Sequence, residues 1–229
     1  MREIVLDTET TGLDPADGHR ICEIACVELM NHLPTGRVFH RYINPERAMP
    51  PEAFAIHGLS DDFLAQQPPF AAHVEELEAF IDGATLVIHN AEFDLKFINA
   101  ELRRLERPAL AGAHTDTLLL ARRRFPGAQA SLDALCRRFA IDLSAREKHG
   151  ARLDCELLAA VYLELIGGRQ PGLDLAAASA EVAGRAALDR PNRAPRPHAP
   201  SPEELAAHRA FLDRLKAPLW LADEDVAAQ

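Results

Sequence analysis

The stretch VLDTETTGLD, residues 5–14, sets two acids one residue apart at the end of an apolar run. If residues 3–9 form a strand, alternate side chains share a face, so Asp7 and Glu9 project the same way. Two carboxylates side by side repel, and the apolar run before them marks a core strand. Something elsewhere in the chain must offset that repulsion.

Outward from this point, EIVLD (3–7), ICEIACVELM (21–30) and RVFHRYI (37–43) read as strands, rich in β-branched and apolar residues. LDPADGHR and NHLPTG between them are turn chemistry. VEELEAFIDG reads as a short helix stopping at Gly83, and TLVIH (85–89) as a further strand. Asn90 is the expected N-cap of the next helix, and further helices fit 116–124, 131–139 with Ser131 as cap, and 151–166. Three strands followed by helices interleaved with a strand predict an α/β fold, a mixed sheet flanked by helices.

The 229 residues, 48% hydrophobic and 26% charged, suit one well-buried domain with additional segments. A net charge of −10 argues against a protein that coats nucleic acid. It leaves room for an enzyme that handles one strand end with metal ions, because the metals supply local positive charge. Cys22, Cys26, Cys136 and Cys155 form no C-x-x-C pair, so neither structural zinc nor a disulfide framework is expected, and reduced thiols fit a cytoplasmic protein. The start, MREIVLD, goes straight into strand-like sequence, so neither a signal peptide nor a membrane span is expected.

After Gly167–Gly168 the composition changes. Residues 189–202, DRPNRAPRPHAPSP, hold five prolines and no apolar cluster, the mark of an extended linker. Ser201-Pro202-Glu203-Glu204 then matches a capping box. Leu205, Phe211, Leu212 and Leu215 recur at helical spacing, with Trp220 beyond. A lone amphipathic helix cannot build a core. The expected organisation is a domain over 1–168, a linker over 169–200 and a binding tail over 201–229.

Two further acids point inwards. Asp94 is in helical register with Phe97, Ile98, Leu102 and Leu105, and Asp154 with Leu158, Val161, Tyr162 and Leu165. Each acid therefore heads a core-facing stripe. A first-turn acid favoured by the helix dipole would explain either one alone. It does not explain four inward acids, and no obvious set of internal arginines is available to pair them. Hard oxygen ligands of this kind suit magnesium or manganese. His149, in KHGARLD, stands on the loop leading to Asp154, where an imidazole beside the site can take a proton at neutral pH.

DTETTG (7–12), HNAEFD (89–94) and HGARLD (149–154) resemble the three exonuclease motifs of the DnaQ-like superfamily, in its DEDDh branch. HGLSDDF (57–63), TDTLLLAR (115–122) and SLDALCRRFAID (131–142) extend the resemblance over residues 3–166. It implies a ribonuclease H-like mixed five-stranded sheet and 3′→5′ removal of single nucleotides with two divalent ions, Mg2+ or Mn2+. Asp7, Glu9, Asp94 and Asp154 would be the metal ligands and His149 the general base. Thr10, Leu13, Ile56, His57, His89 and Phe93 fall where the family lines its nucleotide pocket.

The tail resembles that of the proofreading epsilon family of bacterial DNA polymerase III, which implies docking on the polymerase alpha subunit through Leu205, Phe211, Leu212, Leu215 and Trp220. QPGLDL, with Gln170, Leu173 and Leu175, resembles the peptides that bind the sliding clamp. The expected activity is proofreading of DNA 3′ ends. The alternatives are a free-standing DEDDh exonuclease acting on RNA or structured DNA, and a non-catalytic adaptor between clamp and polymerase.

Overall fold

The computed structural model describes residues 1–110, 112–144, 146, 148–168 and 199–215. Strand β1 (Arg2–Thr10) pairs antiparallel with β2 (Ile21–Met30) on one side and parallel with β4 (Thr85–Ile88) on the other. Strands β3 (Leu33–Tyr42) and β5 (His114–Asp116) complete a mixed five-stranded sheet in the order β3-β2-β1-β4-β5. This is the fold class the sequence predicts. The acid-bearing strand lies in the middle, flanked by neighbours on both edges.

Alternation along β1 divides the core. Ile4 and Leu6 enter a cluster with residues of α3 (Val74–Ile81) and α4 (Ala91–Arg104). Val5 enters another with α7 (Ala151–Leu165). A third cluster joins α7 to α5 (Thr117–Arg124) and α6 (Leu132–Arg138). Glu3, Asp7 and Glu9 share the Val5 face. Fully buried Glu3 accepts a 2.7 Å hydrogen bond from the Tyr162 hydroxyl and lies 2.7 Å from His32 Nδ1, so the acid at the near end of the strand has partners.

Several local features differ from the sequence reading. The β2–β3 turn is only two residues long, with Asn31 and His32 both left-handed (φ 51° and 69°), so β3 starts earlier than residue 37. Pro34 and Gly36 are tolerated there because β3 is an edge strand. β5 and the short helices α1 (Pro51–His57) and α2 (Asp61–Leu64) carry no periodic signal. Asn90 occupies the N-cap position of α4 but makes no capping bond. The Asp116 carboxylate does that work: it accepts from the N–H groups of Asn90 and Ala91, and also caps α5 through Leu118 and Leu119. Ser131 caps α6 as expected.

All four cysteines are reduced and buried, and Cys155 Sγ lies 3.3 Å from the Ala25 carbonyl. No helix among the described residues is long and apolar enough to cross a membrane. The chain divides into two units, Met1–Leu173 and Asp174–Gln229. In the second, the helix Pro202–Leu212 starts with the full Ser201–Glu204 capping box. Leu205, Phe211 and Leu215 are exposed there, and Leu212 is buried. The proposed clamp peptide (Gln170, Leu173, Leu175), nearly all of the proline-rich linker and Trp220 lie outside the described residues.

Candidate active site

Asp7 and Glu9 end the central strand on the face covered by α7, where the register between β1 and β2 shifts after Glu9. Asp154 sits in the first turn of α7, buried, and His149 precedes that helix with its side chain half exposed. Glu9, His149 and Asp154 bring ligand atoms within 4.8 Å of one another. Asp7 lines the same 250 Å³ cleft as His149 and Asp154. Asp94 approaches around the other face of β1: Thr8, whose side chain points opposite to Asp7, donates a 2.7 Å hydrogen bond to Asp94 Oδ1. Glu23, directly across from Glu9 on β2, adds another buried carboxylate, held by His40 at 2.7 Å.

The electrostatic consequence is strong. Burial, then the charges of Asp94, Glu9 and Asp154, raise Asp7 well above the carboxylate range. Burial, then Asp154 and Glu23, push Glu9 up to about 8. Burial also raises Asp94, against the opposing hydrogen bond from Thr8. These groups resist ionising together unless positive charge joins them. Their donors are carboxylate oxygens with one imidazole nitrogen, the set that hard divalent cations accept, so the residues fit magnesium or manganese.

One expectation needs correction. An internal arginine does reach the acids. Arg146, its side chain 8% exposed, donates from Nε to Asp154 Oδ1 at 2.6 Å and from Nη2 to Oδ2 at 2.7 Å. Its Nη1 bonds Asp133, and Nη2 also lies 3.0 Å from His149 Nδ1. Periodicity misses Arg146 because it stands in an irregular loop. Its sequence signal is proximity alone, three residues before His149.

A larger cleft of about 560 Å³ lies beside the acids. Thr10, Leu13, Ile56, His57 and Phe93 line it, together with Glu9. Leu13 and Ile56 are exposed at 82% and 52%, whereas Phe93 stacks obliquely on Phe97 at 5.0 Å between centroids. His57 is buried and accepts the Leu59 N–H at Nδ1, and burial lowers its pKa, so it acts as neutral wall. His89 does not join this cleft. It lines the acid cleft, with Nδ1 2.9 Å from Thr117 Oγ1. A Cβ at Gly12 would meet the His19 ring at 2.3 Å, so a side chain there could be admitted only if that ring shifted.

The profile of the RNase_T family, described as an exonuclease, matches residues 4–162. The chain belongs to the RNase_T exonuclease family. This exonuclease is 49% identical over 222 residues to the DNA polymerase III subunit epsilon of Rickettsia conorii, a match covering 94% of this chain and 96% of that protein. Among solved structures it is similar to exonuclease X in complex with 5′ overhanging duplex DNA, with 27% identity and a TM-score of 0.56 over 72% of this chain and 90% of that one. The nuclease domain of 3′hExo, a DEDDh family member bound to rAMP, shares the fold at 19% identity and a TM-score of 0.61, over 72% of this chain and 92% of that one. The exonuclease match ends within α7, so the tail helix lies beyond it.

Proposed function

We propose that the chain is the 3′→5′ proofreading exonuclease of a bacterial replicative DNA polymerase, releasing nucleoside 5′-monophosphates in the cytoplasm. The observation that carries this reading is the meeting of Glu9, His149 and Asp154, with Asp7 beside them, next to a cleft of nucleotide size. Asp7, Glu9, Asp94 and Asp154 would hold two divalent ions, Mg2+ or Mn2+. When bound, such ions neutralise the carboxylates and stabilise the charge that develops on the phosphoryl oxygens. His149, half exposed, takes the proton of the attacking water.

Leu13, Ile56 and Phe93 offer apolar contact to the terminal nucleoside, and Thr10 its backbone N–H. Apolar contact tolerates any base, as proofreading requires, and frayed mispaired ends reach the cleft at less unpairing cost. The names of the relatives support assembly with DNA polymerase III. Leu205 and Phe211, exposed on the tail helix, and Leu215 just beyond it suit docking in a groove of the alpha subunit, with Trp220 as a further contact, while the 170–175 peptide would bind the sliding clamp.

The test is release of label from a 3′-labelled primer–template, paired or mispaired, with a matching RNA strand alongside. We expect Mg2+-dependent release that is faster from the mispair. His149→Ala should lower kcat by roughly 10²–10⁴-fold, and Asp7→Ala by at least as much. Preference for the RNA strand would favour the free-standing exonuclease instead.

A further inference from the structure

We propose that Arg146 is a built-in stand-in for the metal ions: its guanidinium occupies Asp154 and His149 in the metal-free protein and is exchanged for the cation when metal binds. The inference rests on the metal-binding reading above and adds a competitor that the chain itself supplies.

The geometry of Arg146 carries the argument. Nε and Nη2 take one oxygen each of Asp154, the bidentate arrangement that fills the lone pairs a cation would use. The same Nη2 faces His149 Nδ1. One side chain thus engages two of the three residues whose ligand atoms converge within 4.8 Å. A cation held by Glu9 and Asp154 and the guanidinium in its present position compete for the same Asp154 oxygens, while Nη2 also engages the proposed base, His149.

The surroundings permit exchange. Arg146 lies between α6 and α7, where its own N–H bonds the Leu143 carbonyl and the His149 N–H bonds the Ile56 carbonyl. Neither bond belongs to the sheet. Asp133, less buried than Asp154, holds Nη1 from the rim. The guanidinium therefore keeps one anionic anchor as it leaves Asp154. Without metal, Arg146 relieves part of the repulsion around Asp7, Glu9 and Asp154 and keeps the site intact but idle. A competitor of this kind lowers apparent metal affinity by the fraction of molecules it occupies.

The full chain is titrated with MnCl2 by calorimetry, and its thermal midpoint is read in EDTA and in excess Mn2+. We expect Arg146→Ala to bind Mn2+ roughly tenfold more tightly than wild type. Its midpoint should fall in EDTA and recover in Mn2+, widening the gap between the two conditions. Arg146→Lys, which keeps the charge but loses the two-pronged hold on Asp154, should shift affinity the same way by a smaller factor, and serves even if Arg146→Ala does not fold without metal. Unchanged or weaker Mn2+ binding in both variants, beside a wild type that binds, would overturn the exchange and leave the metal site standing. So would an equal loss of midpoint in both conditions, the mark of a purely structural arginine. A wild type that binds no Mn2+ would overturn both readings together.

Discussion

Glu9, pushed up to about 8 by burial and then by Asp154 and Glu23, stays largely protonated at neutral pH without metal. Its folded pKa lies above the unfolded value of 4.5, so its contribution to stability is full below 4.5 and is lost as pH rises through about 8. Asp7 and Asp94, also raised, act in the same direction. We expect the thermal midpoint in EDTA to fall steadily between pH 5 and 9, and Mn2+ to flatten the slope by stabilising the charged forms. A midpoint that climbs with pH in EDTA would contradict this account of the acids. At this scale the sequence was readable where a side chain follows a period: Asp7 and Glu9 by twofold alternation, Asp94 and Asp154 by helical register. Thr8 and Arg146 act through contacts between elements, and such contacts leave no period to read.

At the scale of elements, Asp116 joins two helices. Its Oδ1 accepts from Leu118 N at 2.8 Å and Leu119 N at 3.2 Å, while Oδ2 accepts from Ala91 N at 3.1 Å. Losing one cap costs about 1 kcal/mol, so Asp116→Ala should destabilise the domain by about 2 kcal/mol in urea unfolding. A loss near zero would mean that water replaces the carboxylate at both ends. Asn90 misled the sequence reading because its type and position suit a cap. Its left-handed backbone (φ 68°) turns the chain into α4 while a residue 26 positions away supplies the acceptor. β5 escaped because three residues are too short to show alternation, and its place is fixed by parallel pairing with β4.

At the scale of the whole chain, composition changes after Gly168, whereas the contacts divide the chain after Leu173. A partner for the tail helix is proposed by resemblance alone, since an amphipathic stripe specifies a groove and not its owner. If the exposed Phe211 enters the polymerase alpha subunit, Phe211→Glu should weaken that complex by at least about tenfold in a binding titration. Hydrolysis of short single strands should stay within about twofold, because the acids and the cleft belong to the other unit. Equal loss of both would tie the tail to catalysis.

The burial of every cysteine has a practical consequence. Burial raises all four thiols, and the thiolate is the form that alkylates, so the native chain should be nearly silent to maleimide. Cys26 and Cys155 sit against the middle of the sheet, so their capture under denaturant would time the opening of the sheet itself. A cysteine introduced at an exposed position such as Leu33 would accept a fluorophore at one address, with the natural thiols left in place.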